Sequence, residues 1–199
     1  MALPLFLVIA MTALYAIILK RFAARGISFS APRGALLLGV MFGLYAILAT
    51  LNCIPMPNNS LPNVRDAGPL LAGLLGGPLA GLLAGFIGGV HRIAVNSAAP
   101  GIPCGIAAML AGFIGGLLHL RLKGNLPSLY LLCALAFGME GLHMVLVMLI
   151  VPAPQNFGFI APVTIPMMLA NAAALGLFSL LYREPASQAH SPLHRHALG

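Results

Sequence analysis

LPNVRDAGPLLAGLLGGPLAGLLAGFIGGVHR, residues 61–92, is the stretch on which the fold turns, because it sets glycine-rich apolar sequence between Arg65 and Arg92 and breaks it at Gly76-Gly77-Pro78. Read as one helix, it gives the chain six membrane crossings. The basic loop carrying Lys20, Arg21, Arg25 and Arg33 then falls on the side opposite Arg121, Lys123 and Arg183, which the positive-inside rule disfavours. Read as two short helices, about 62–76 and 78–92, it gives seven crossings and puts all three basic clusters in the cytoplasm. Pro78 then opens the second helix, where its missing N–H is least costly. Each short helix covers about 22 Å at 1.5 Å per residue, which calls for shelter by neighbours or a thinned bilayer. Arg65 and Arg92 are expected to return to the same outer level.

The rest of the chain agrees with a membrane bundle. It has 199 residues, 60% of them hydrophobic and 7% charged, and a mean hydropathy of +1.02, outside the soluble range. Hydrophobic runs lie near 3–19, 34–51, 101–120, 128–151 and 159–182. The expected fold is therefore all-α: a polytopic membrane helical bundle of about seven segments, with residues 62–92 as a glycine-rich two-helix hairpin. The net charge of +7 comes from ten Lys/Arg placed mostly between apolar runs, a pattern of topology signalling rather than nucleic-acid binding. The organisation expected is an N-terminal transmembrane helix and basic loop (1–33), a transmembrane domain (34–182) and a polar cytoplasmic tail (183–199), with the amino terminus outside. The N-terminal run has its charges after it, not before it, and reads as a retained helix.

Glycines recur every four residues at 77, 81, 85 and 89 and again at 112 and 116, the spacing that lets helix backbones approach closely in lipid. Cys53, Cys104 and Cys133 lack metal-ligand or disulfide spacing, and His190, His194 and His196 read as an accidental polar tail. No metal or cofactor is expected.

Candidate binding residues follow from charge and position. Arg65 and Arg92 lie on the outer side, where arginine is not needed for topology, and Asp66 can neutralise one of them. The helix starting at Gly101-Ile102-Pro103-Cys104 adds its positive dipole end. With Asn63 these groups would make a small positive cup suited to a carboxylate, and the outer loop NCIPMPNNSLP would cover it. Separately, Glu140 sits mid-helix with His143 one turn on and Asn171 at similar depth in the last helix, a set that suits a polar switch or relay inside the bundle or, the reading preferred here, an interhelical hydrogen-bond clamp. Pro162 and Pro166 invite a kink in that last helix.

The run PNVRDAGPLLAGLLGGPLAGLLAGFIGGVHR, then Cys104 with LAGFIGGLL, Glu140 with Met144, and Pro166-Met167 with Asn171, resembles the five-transmembrane sensor domain of LytS-type receptors over about residues 35–182. The resemblance implies a bacterial inner-membrane receptor domain, usually joined to a histidine kinase or diguanylate cyclase and linked to cell-wall control or to sensing small carboxylates such as pyruvate. It also implies that Asn63 and Arg65, Arg92 and Cys104 form the ligand-binding set. Val64 and Ala107 stand where some members carry hydroxyls, which bears on ligand identity more than on its charge. The partners implied are a small anion, the bilayer and a kinase or cyclase effector, with homodimerisation left open. No effector is expected within this chain, so it is not expected to be an enzyme, and an intramembrane enzyme built on Glu140 and His143 would lack a nucleophile or metal set. The same stretch is similar, over a shorter length, to the S components of energy-coupling-factor vitamin transporters, whose function would be solute uptake.

Overall fold

A computed structural model describes residues 2–53, 64–95 and 100–183. Six helices account for nearly all of them: α1 (Ala2–Ala24), α2 (Pro32–Leu51), α3 (Ala67–Val95), α4 (Gly101–Arg121), α5 (Leu129–Ile150) and α6 (Gln155–Tyr182). All six are long and apolar enough to cross a membrane. Their ends obey local chemistry: Pro32 opens α2, where proline is tolerated, and Ser128 caps α5 by accepting from the Leu131 N–H. α6 continues through both Pro162 and Pro166.

α3 is not straight. Its backbone leaves helical geometry at Gly77, at φ 81° and ψ −172°, a conformation that glycine adopts without penalty. A Cβ on Gly81 would lie 2.9 Å from Gly73 Cα, whereas eight residues of straight helix separate two Cα atoms by about 12 Å. The chain therefore folds back at Gly77, and α3 is the expected hairpin, its arms being residues 67–76 and 78–95. With the hairpin counted as two segments, the bundle has seven.

The arms are unequal, which corrects the expected level of the arginines. The first covers about 15 Å and the second about 27 Å at 1.5 Å per residue. A Cβ on Gly88 would lie 4.0 Å from Arg65 Cδ, so the Arg65 side chain lies beside Gly88, four residues and about 6 Å of helix before Arg92. Arg65 is fully buried and Arg92 is 2% exposed. They are not surface residues at one outer level; the first arm stops inside the bundle because its helix begins at Ala67 rather than near residue 62.

The hairpin packs on α4 through glycine. Residues 89, 85, 81 and 78 meet 105, 108, 112 and 116 in turn, so the second arm and α4 run antiparallel and Arg92 comes level with the first turn of α4. A Cβ on either Gly81 or Gly112 would collide with the other's carbonyl oxygen. α2 covers the hairpin from the other side, while α5 packs chiefly on α6 and α1 on α6. Between these groups lie Tyr15, Phe42, Tyr45 and Phe178, whose ring centroids are 5.4 to 6.1 Å apart. At the hairpin tip the ring of His119 lies against Gly77, and its Nδ1 donates to the Leu74 carbonyl at 2.9 Å. Its Nε2 lies 3.4 Å from Ser30 Oγ in the α1–α2 loop.

Candidate functional site

Where the first arm begins, four elements bring polar side chains together inside an otherwise apolar bundle. Arg65 donates from Nε to Asp66 Oδ1 at 3.1 Å and from Nη2 to the Cys104 carbonyl at 3.2 Å; Nη2 is also 3.0 Å from Asp66 Oδ1. The second carboxylate oxygen, Asp66 Oδ2, is 3.0 Å from His143 Nδ1. Glu140 Oε1 lies 3.3 Å from the same nitrogen. Both contacts are at ion-pair distance, but neither oxygen meets hydrogen-bond geometry with Nδ1. On the other face of the ring, His143 Nε2 and Cys104 Sγ are 3.1 Å apart.

Asn171 of α6 completes the cluster. Its Nδ2 donates to Glu140 Oε2 at 3.1 Å and to the Met167 carbonyl at 3.0 Å. Its Oδ1 accepts from the Ala67 N–H at 3.2 Å, one of the donors that every helix start leaves without an intrahelical partner. The first arm can thus begin in the interior because a side chain from another helix satisfies its end. A small cavity beside the cluster is lined by Asp66, Glu140, Asn171, Leu70, Met139 and Leu175.

Arg92 is different. Its Nε and Nη1 are buried and have no hydrogen-bond partner among the described residues, and no carboxylate there lies within ion-pair distance. A buried guanidinium without a counter-charge is strongly unfavourable. It stands level with the opening turn of α4, whose cap at Pro100 supplies no side-chain hydrogen bond and whose dipole also favours an anion.

Of the residues singled out in the sequence, Arg65 and Cys104 are brought into contact, and Glu140, His143 and Asn171 into one network. Arg92 is placed along the same hairpin. Asn63, most of the loop NCIPMPNNSLP and the tail histidines His190, His194 and His196 lie outside the described residues. Asp66, expected only to neutralise Arg65, also joins the arginine to His143. The adjacency of two opposite charges inside apolar sequence was the signal for it.

Asp66, Glu140 and His143 offer three ligand-type atoms within 4.8 Å of one another, close enough for a divalent cation. The charges do not suit one. Arg65 already occupies Asp66, and two arginines against two carboxylates leave no excess of negative charge for a further cation at this depth.

The fold and this centre define a multi-pass membrane protein with a charged network at the root of a folded-back helix pair. The chain belongs to the LytS-type five-transmembrane receptor family: the family described as "5TMR of 5TMR-LYT" matches residues 18–184. It is similar to the Sensor protein LytS of Bacillus subtilis (strain 168), at 28% identity over 125 residues. That match covers 61% of this chain and 21% of the relative, so the chain spans about a fifth of the length of the curated relative it matches. No solved structure shows a significant match.

Proposed function

We propose that this chain is the ligand-sensing membrane module of a LytS-type phosphorelay, and that it takes a small anion of the carboxylate class at Arg92. The observation that carries the reading is the buried Arg92 guanidinium, whose Nε and Nη1 have no partner among the described residues. An anion there would supply the missing counter-charge and gain two charge-assisted hydrogen bonds. Arg65 is committed to Asp66 and the Cys104 carbonyl, so its part is to hold the site's floor. In this reading the ligand arrives from outside the cell at the bacterial inner membrane, and the response passes to a histidine kinase or cyclase effector acting in cell-wall regulation or metabolite sensing. A ligand shifts such a module only by favouring one of its states.

Arg92→Gln keeps hydrogen-bonding capacity but removes the charge. The thermal shift that acetate, pyruvate or lactate gives the purified chain is expected to vanish in this variant, with the unliganded protein folded and monodisperse. A shift retained in Arg92→Gln sinks the assignment. A shift given instead by a neutral vitamin, together with uptake into vesicles, would favour the S-component reading.

Orientation has its own test. The variant Ser30→Cys is expected to react at position 30 with a membrane-impermeant maleimide only in inside-out vesicles, and native Cys53, at the far end of α2, only in right-side-out cells. Cys53 should react slowly, because burial raises its thiol above the usual pKa despite the nearby Arg92 charge and a backbone hydrogen bond. The opposite labelling pattern would place the amino terminus inside.

A further inference from the structure

Two carboxylates face each other across the root of the hairpin. Asp66 stands just before α3 and Glu140 in the middle of α5, both buried, and an oxygen of one comes within 4.8 Å of an oxygen of the other. The His143 ring stands beside both, with Nδ1 3.0 Å from Asp66 Oδ2 and 3.3 Å from Glu140 Oε1. That nitrogen and Glu140 Oε1 are buried and make no hydrogen bond among the described residues, so the ring is shared by two acceptors and aligned with neither. The other oxygens are committed. Asp66 Oδ1 takes Arg65 Nε and Nη2, and Glu140 Oε2 accepts from Asn171. Cys104 Sγ faces the remaining ring nitrogen, Nε2, at 3.1 Å. The charged or titratable groups around Glu140 are therefore Arg65 and Asp66 at the start of α3, Cys104 of α4 and His143 of its own helix, while α6 contributes the neutral Asn171. Carboxylates this close repel when both are ionised, and a proton on Oε1 disturbs none of the bonds already made.

We propose that Glu140 Oε1 is a proton-binding site, and that the bound proton draws α5 onto the root of the hairpin. The proton comes from water and returns to it. With Glu140 neutral, the repulsion between the carboxylates is gone, the acid O–H has Asp66 as an acceptor, and the His143 Nδ1–H turns wholly to Asp66 Oδ2. All three gains lie between α5 and the start of α3. When the proton leaves, Nδ1–H is drawn back toward a carboxylate of its own helix, three residues away, and the two acids repel again. The small cavity lined by Asp66, Glu140 and Asn171 leaves the carboxyl room to turn. The site needs no anion at Arg92, so it stands or falls apart from that reading.

The sequence has three acidic residues, Asp66, Glu140 and Glu184, which makes the site readable by infrared spectroscopy of the full chain in lipid. In Glu184→Gln, grown with glutamate carrying carbon-13 at its side-chain carboxyl, Glu140 is the one labelled acid left. As the pH is lowered from about 8 to about 5, the isotope-shifted band of a neutral carboxyl is expected to rise, and adding Glu140→Gln is expected to abolish it. Stability is read as the monodisperse fraction after heating. A proton held by the folded state and not by the unfolded one changes the folded-to-unfolded ratio up to about tenfold per pH unit. Wild type is therefore expected to match Glu140→Gln in acid and to fall below it as pH rises through the infrared titration. Absence of a titrating labelled band in Glu184→Gln, whose interior is untouched, overturns the proton site, as does a band that survives Glu140→Gln. A band that titrates while wild type and Glu140→Gln keep the same relative heat resistance at every pH overturns the closing of α5 on the hairpin.

Discussion

Replacing Asp66 with alanine is expected to destabilise the protein by about 3–5 kcal/mol, the usual consequence of leaving one member of a buried ion pair without its partner. Arg65 is fully buried and would keep its bond to the Cys104 carbonyl while losing its counter-charge. His143 would lose one of its two carboxylate neighbours in the same step. Asp66→Asn should be milder, because an amide oxygen can still accept from Arg65 Nε. The double variant Arg65→Met, Asp66→Leu should recover most of the loss, since exchanging a buried pair for apolar side chains of similar volume is often neutral. The sequence contains no tryptophan, so the measurement is the monodisperse fraction remaining after heating. Equal stability of wild type and Asp66→Ala would mean that the pair is not buried in the membrane-embedded protein.

Gly112→Val is expected to be of similar size, about 3 kcal/mol or more, by overpacking rather than by charge. Here two backbones meet with no side chain between them, and a single Cβ on Gly112 would fall on the Gly81 carbonyl. Gly112→Ala is therefore already expected to cost about 1–3 kcal/mol. Gly138 and Gly141 of α5 are the controls, because a Cβ on either meets nothing within 4 Å. Alanine there should be neutral or stabilise by up to about 1 kcal/mol through helix propensity. A Gly112→Val protein as heat-resistant as Gly138→Ala would rule out the close contact of α4 with the hairpin.

These two sites mark where sequence reasoning reached and where it stopped. Glycines four residues apart announce close backbone approach, and Gly76-Gly77-Pro78 together with the loop charges announces the fold-back, because both are local features. The depth of Arg65 was not legible. It depends on where the first arm starts, and that start at Ala67 is set by Asn171, 104 residues away in sequence. Glu140, His143 and Asn171 could be grouped from helical spacing and depth. Joining them to Arg65 and Cys104 needed the order in which helices pack, which periodicity within one helix does not contain. Asp66 was visible as a charge and not as the link.

The packing divides the bundle into two bodies. Hairpin, α2 and α4 are locked to each other, on the α4 side by backbone contact that has no rotamers to rearrange, while α1, α5 and α6 form the second group. Asp66, Arg65 and Cys104 belong to the first body, and Glu140, His143 and Asn171 to the second, so the His143 contacts with Asp66 and Cys104 and the Asn171 contact with the Ala67 N–H cross the seam. The rest of the seam is apolar, Tyr15 and Phe178 packing on Phe42 and Tyr45, so the charged network is its one directional part, and the addition or removal of one charge there changes the fit of the two groups. At the other end of the hairpin the tie is a single side chain, His119, which links the tip to the α1–α2 loop.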